Sequence, residues 1–198
     1  MQEESVKLVD MKREIRILGL DDTAYSKKDK SVLVVGVIYR GGSYIDGLLT
    51  FNVKKDGSDA TEKLINILEK TRHKGQLQYI MIKGITLAGF NFFDIKEIYE
   101  RTGVPVVVVM RKKPNMKKFI HAFEKINPLG IEAVENAGKI QKINVKGKKL
   151  FVQKAGLDSK DAKEILEITC LHSNIPEPLR VSHLIASGIS RGENKARA

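Results

Sequence analysis

Cysteine is almost missing from this chain: Cys170 is the only one, so no disulfide can form within it. That scarcity suits a reducing cytosol, and a cytoplasmic location is expected. No stretch reaches the roughly 18 uninterrupted apolar residues of a membrane span, so a membrane is not an expected partner. Met1 to Lys12 is polar and charged and lacks the apolar run of a secretory signal. Neither heptads nor solenoid repeats occur. There is no Walker-type loop and no GxGxxG, the glycine patterns that cradle nucleotide phosphates. No serine, cysteine or histidine constellation points to acyl transfer. Cys170 has no second cysteine with which to hold zinc and reads as a small core residue.

What the chain does have is positive charge. Its 198 residues carry 35 Lys plus Arg against 24 Asp plus Glu, a formal net charge of +11. Such an excess favours a polyanionic partner, because neutralising phosphates releases counterions. A lysine-rich, heat-adapted surface would give the same composition. Hydrophobic residues make up 42%, enough for a packed core at this length. A single domain is expected over residues 1–198, with a core at 13–127, an extension at 128–190 and a basic tail at 191–198.

The order of elements narrows the fold. Glu14–Leu20 predicts a first strand, and Ser31–Arg40 is almost continuously apolar, as a strand buried on both faces should be. Gly41-Gly42 is a hairpin signal, with Tyr44–Val53 as the third strand. The period then changes. Asp59 and Glu62 have capping-box spacing ahead of a helix that carries Leu64, Ile67 and Leu68 on one face. Leu77–Ile82 follows as a strand, Asn91–Thr102 as a helix, and Val104–Met110 as a fifth strand. Asn115 caps a third helix, whose core side is Met116, Phe119, Ile120 and Phe123. Lys139–Val145 and Lys149–Lys154 flank a Lys146-Gly147-Lys148 turn, and two helices follow. A dinucleotide fold would alternate strand and helix from the start. Three strands first, then α-β-α-β, is the order of the ribonuclease-H-like fold, here a mixed five-stranded sheet with helices on both faces plus a C-terminal hairpin and helices.

In that topology strands one and four run parallel, side by side, and their carboxyl ends share one edge of the sheet, where ligands of open α/β sheets bind. Asp21 and Asp22 follow strand one, Asp56 and Asp59 follow strand three, and Asp94 lies in the first turn of the second helix. Carboxylates converging there suit magnesium or manganese, and two such ions about 3.5–4 Å apart can activate water against a phosphodiester. Asp59 and Asp94 would equally serve as helix caps, and Asp56-Gly57 reads better as a turn. The loop from Gly84 through Thr86 and Gly89 to Asn91 opens a helix, so its backbone amides are candidates for a phosphate. A packed glycine turn would look the same. Phe90, Phe92 and Phe93 could stack a base, although helical spacing favours the core for Phe92. Arg111, Lys112 and Lys113, with Lys117 and Lys118 beyond, leave strand five on the same edge and suit phosphate contacts or a solvated face. His183, three residues after Arg180 in the last helix, is a candidate ligand if that helix packs near the acids.

These segments also resemble a known family. Leu18–Asp22 (LGLDD), Val35–Leu48 (VGVIYRGGSYIDGL), Asp56–Thr61 (DGSDAT), Gly84–Asp94 (GITLAGFNFFD), Gly103–Lys113 (GVPVVVVMRKK) and Ile175–Ile185 (IPEPLRVSHLI) look like the archaeal endonuclease dU family. That family is distantly similar to endonuclease V, and the match spans about residues 13 to 195. The resemblance implies a magnesium-dependent DNA-repair nuclease that cuts near deoxyuridine, a deaminated base. It equates Asp21 with the aspartate that ends strand one of endonuclease V and, loosely, His183 with a C-terminal histidine. Tyr44-Ile45-Asp46-Gly47 resembles a Tyr-Ile-Pro-Gly wedge, with Asp46 in place of proline. Val53 and Lys83 stand where endonuclease V carries acids. On this reading Asp21, Asp22, Asp59, Asp94 and His183 hold metal, and Lys83 stabilises charge on the phosphate. Tyr44, Gly84, Thr86, Gly89, Asn91, Arg111, Lys112, Lys113 and Arg180 then meet nucleic acid. A non-catalytic nucleic-acid-binding protein and a small-ligand module built on the glycine loop are the alternatives.

Overall fold

The structure is a computed structural model that describes residues 14–193. The expectations for Met1 to Lys12 and for the basic tail beyond 193 lie outside the described residues. Strand β1 is Arg16–Asp22, β2 Ser31–Arg40, β3 Tyr44–Lys54, β4 Leu77–Lys83, β5 Thr86–Leu87, β6 Asn91–Phe92, β7 Val106–Met110, β8 Gln141–Val145 and β9 Lys148–Ala155. Helix α1 is Ala60–Lys70, α2 Ile95–Thr102, α3 Met116–Ile126, α4 Gly130–Asn136, α5 Ser159–Thr169 and α6 Glu177–Arg191.

The main sheet has seven strands in the order β3-β2-β1-β4-β7-β9-β8. Strands β1, β2 and β3 form an antiparallel meander; β4 and β7 then run parallel to β1. This is the ribonuclease-H-like arrangement that the element order predicts. The hairpin β8–β9 continues the same sheet, with β9 antiparallel to β7. The extension therefore adds strands to the sheet edge that β7 would otherwise expose. The short α4 has no counterpart in the sequence reading.

Strand alternation decides which side chains meet. Leu18 and Leu20 of β1 and Ile80 and Ile82 of β4 enter the core under α1, α2, α3 and α4. Ile17 and Met81 enter the opposite core, under α5 and α6, with Val107, Val109 and Leu179. By that parity Asp21 and Lys83 belong to the α6 face, and Asp22 to the α1–α4 face. A pair of adjacent acids is thereby split across the sheet.

Helix α6 sits very close to β1. Gly19 is in contact with Pro178: a Cβ added at Gly19 would lie 2.4 Å from the Pro178 carbonyl carbon and oxygen. Leu179, Ser182 and Ala186, buried at helical spacing, form the face that packs inward. Pro178 falls in the first turn, where its missing N–H costs nothing.

Among the described residues, no helix is long and apolar enough to cross a membrane. Cys170 is buried, and burial pushes its thiol pKa up to about 12, so it is an unreactive core residue.

Candidate active site

The carboxyl edge of the sheet brings three chemically active side chains together on the α6 face. Asp21 ends β1, Lys83 ends the adjacent parallel β4, and His183 comes from α6. His183 Nδ1 lies 2.7 Å from Asp21 Oδ2. Lys83 Nζ lies 3.5 Å from the same oxygen and 3.4 Å from His183 Nδ1. A carboxylate only accepts, so Nδ1 donates to it, and Nε2 of the neutral ring is left as an acceptor. The Asp21 side chain is only 11% exposed, against 35% for Lys83, so the carboxylate anchors the cluster from below. This burial weakens solvent screening of its charge.

Beside Lys83 opens a cleft of about 220 Å³, lined by Lys83, Gly84, Val109, Arg111, Ile175 and Leu179 among others. The Gly84 amide donates to the Val109 carbonyl at 3.2 Å, which ties the ends of β4 and β7 together. Arg111, Lys112 and Lys113, exposed just past β7, stand on the same edge as Lys83. Of this segment, Arg111 shares the cleft lining with Lys83.

Comparison with known proteins places the chain. Residues 13–190 match the family described as "Endonuclease dU". The chain belongs to the endonuclease dU family. It is 44% identical over 193 residues to the UPF0215 protein of Methanosarcina mazei, a match covering 95% of this chain and 97% of the relative. A crystal structure of a protein of unknown function from Archaeoglobus fulgidus has a TM-score of 0.81 at 39% identity, covering 90% of this chain and 99% of that one. An endonuclease V from Ciona intestinalis, in complex with a 24mer DNA containing an inosine, has a TM-score of 0.56 at 14% identity, covering 97% of this chain and 98% of its own. The last likeness is one of fold.

In this member of the endonuclease dU family several predicted site residues are committed elsewhere. Asp22 turns to the other face, where its Oδ2 accepts the Ala88 N–H at 2.7 Å; its own N–H donates to Asp21 Oδ1 at 3.1 Å. Burial holds the Asp22 carboxyl above the usual carboxylate range; the Ala88 N–H opposes this and the Asp21 charge adds to it. The ionised form is therefore disfavoured by folding. That cost is present in full above the folded pKa and vanishes below the unfolded one, where the group is protonated in both states. Asp22→Asn, whose amide oxygen can still accept from Ala88, should raise Tm near pH 7. The gain should be gone by about pH 3, as thermal melts across that range would show.

Asp94 is the N-cap of α2, accepting from Lys96 N and Glu97 N, with Asn136 Nδ2 on its other oxygen at 3.0 Å. Its capping role prevails because helix amides need an acceptor and the dipole favours an anion there. Asp59 accepts from Lys54 N and Asn91 Nδ2 and pairs with Lys63. The capping box does not form, since Glu62 pairs with Arg101 of α2 instead. Neither Asp59 nor Asp94 reaches Asp21, and Val53 is fully buried in the core. Among the described residues, no group of three or more His, Cys, Asp or Glu side chains is placed to hold a metal ion.

The glycine loop is also spoken for. Its Phe90 N–H donates to Asp56 Oδ1 at 2.8 Å and its Ala88 N–H to Asp22, so the chain's own carboxylates fill the phosphate cradle. Gly89 adopts positive φ with Asp56 Oδ1 against its Cα, which a Cβ would strike. Asp56 thus clamps the loop. Thr86 is half-buried on β5, paired with Phe92. Asn91 is fully buried: it accepts from Ala60 N and Phe92 N and donates to the Lys54 carbonyl and Asp59. It fastens α1 to the loop and has no face for a nucleic acid. Phe92 and Phe93 are buried, and Phe90 packs edge-on to Phe123 with ring centroids 5.1 Å apart.

Two further expectations change. Arg180 donates from Nε to both oxygens of Glu177 and from Nη2 to one of them, and Glu177 is 1% exposed. A buried carboxylate needs such a partner, and Arg180 neutralises it. Tyr44 sits at the β2–β3 turn beside Arg40, whose partner on β1 is Arg16, the end of β1 opposite Asp21. Five residue steps along β1, from Arg16 to Asp21, put it about 17 Å from the Asp21 edge. Its ring lies under the Arg40 guanidinium, and Asp46 pairs with Arg16 and Arg40. The structure thus brings together Asp21, Lys83, His183 and the 111–113 segment. Sequence reasoning misses the pairing of Lys83 with Asp21, although strand parity holds its signal.

Proposed function

We propose that this chain hydrolyses a phosphodiester of DNA beside a deaminated base, with deoxyuridine as the lesion. The observation that carries the proposal is the contact of His183 Nδ1 with Asp21 Oδ2 at 2.7 Å, next to Lys83. With Nδ1 donating to a carboxylate, His183 can take a proton at Nε2 and Asp21 stabilises the imidazolium that forms. The attacking water forms a bond to phosphorus as its proton passes to Nε2. The ester P–O bond breaks, and its oxygen leaves with a proton from solvent. Lys83 Nζ donates to a non-bridging oxygen as charge accumulates there. Arg111, Lys112 and Lys113 hold the flanking backbone. The cleft beside Lys83, with Val109, Ile175 and Leu179 in its wall, offers an apolar lining for an unstacked pyrimidine.

Magnesium, implied by the family resemblance, fits the donor set poorly. A two-ion centre needs several carboxylates on one side of the sheet, and here Asp21 has Lys83 and His183 beside it while Asp22 faces away.

The test is single-turnover cleavage of two duplexes that differ only in one deoxyuridine against thymidine. The uracil duplex is expected to be cut at a discrete position and the thymine duplex left intact. Salt-sensitive binding to both duplexes without any product would favour the non-catalytic alternative.

A further inference from the structure

We propose that the Lys83 ammonium takes the place of a divalent cation in this site, so that the site neither binds nor needs one. The catalytic half of this inference rests on the nuclease reading above; the metal-binding half stands independently of it.

Position is the first argument. Lys83 ends β4 directly beside the end of β1, and the parallel register Leu20 to Ile82 puts it next to Asp21. Nζ lies between a carboxylate oxygen and an imidazole nitrogen, 3.5 Å and 3.4 Å away. The carboxylate oxygen is a ligand type that divalent ions take, whereas Nδ1, with its proton given to Asp21, has no lone pair to offer one. An ion seated on Asp21 would therefore meet a fixed positive charge within the same few ångströms.

The second argument is the supply of negative charge. On the α6 face the sheet edge offers Asp21. Asp22 accepts from the Ala88 N–H on the other face, and Val53 is a core residue. Magnesium, which binds through carboxylates and retained waters in an octahedron, would have among the described residues a single carboxylate already shared with two donors. One charge on Asp21 is balanced by one charge on Lys83, so the pair is neutral as it stands.

The third argument is chemical. A lysine whose ammonium is held by a largely buried carboxylate presents its remaining N–H donors outward, toward the cleft that it lines. Those donors can meet the non-bridging oxygens of a phosphate, which is the electrostatic part of what a metal ion does in such reactions. Activation of the water falls to His183.

Manganese titration of the full-length protein, read by the electron paramagnetic resonance of the free ion, tests this beside cleavage in excess EDTA. Wild type is expected to take up no ion that depends on Asp21 and to cut the uracil duplex unchanged in EDTA. Lys83→Asp, which places a second carboxylate beside Asp21 and His183, is expected to take up an equivalent of manganese that wild type does not. In EDTA it should lose cleavage by about a hundredfold. If Lys83→Asp fails to fold, Lys83→Met removes the charge and should show the same loss, with no recovery in manganese. Manganese uptake by wild type that Asp21→Asn abolishes would overturn the proposal, as would cleavage stopped by EDTA and restored by manganese. Absence of cleavage in every condition would defeat the nuclease reading, while the titration would still decide whether Lys83 excludes the ion.

Discussion

Asp21→Asn should slow cleavage of a uracil-containing duplex by about a thousandfold and leave the fold intact. The amide keeps the shape of the carboxylate, and its oxygen can still accept from His183 Nδ1. What it loses is charge. Without that charge the imidazolium formed when His183 takes a proton has no counter-ion, and the Lys83 ammonium loses the partner that fixes it. Two functions fail together, which is why the loss should exceed that of removing a single phosphate donor. Single-turnover rates measure the loss, and a Tm within a few degrees of wild type shows that the protein is folded. Cleavage within about tenfold of wild type would mean that the acid carrying the chemistry lies elsewhere.

Gly19→Ala should be severe for a different reason. The new Cβ would lie 2.4 Å from backbone atoms of Pro178, which cannot rotate away as a flexible side chain could. Either α6 lifts from the sheet or β1 shifts. Overpacking of this kind costs about 1–3 kcal/mol, and a clash against backbone belongs at the upper end. At this chain length that is a fall in Tm of about 6–12 °C. Because α6 carries His183 and β1 carries Asp21, the same displacement opens the 2.7 Å contact between them. Activity should therefore fall about a hundredfold at temperatures where the variant is still folded. A variant that melts early but cuts at the wild-type rate below its transition would separate the packing of α6 from the site.

Much of the fold was legible because the strands announce themselves. Ser31–Arg40 is recovered with its bounds unchanged, and the order of three strands before the first helix identifies the topology. What one dimension hid was the use of polar side chains. Asp94 and Asp59 look the same in sequence whether they face an ion or a row of backbone amides, and the amides claimed them. Asn91 and Asp56 were invisible as clamps because their partners lie more than thirty residues away in the chain. Glu177 and Arg180 show the same limit, since nothing in the sequence says that the glutamate is buried. Strand parity was available and underused. Neighbours in a strand face opposite ways, so Asp21 and Asp22 could not both serve one face. Residues at equivalent parity on adjacent parallel strands face the same way, which is what joins Asp21 to Lys83.

Central to all of this is that Asp21 and His183 work as one unit on the phosphodiester. Single-turnover cleavage of the uracil duplex by Asp21→Asn, His183→Ala and the double variant measures that directly. The double variant should be no more than about twofold slower than the slower single variant, as for groups that share one step. Losses that multiply in the double variant would contradict a shared role, and product formed at the wild-type rate by either single variant would remove it.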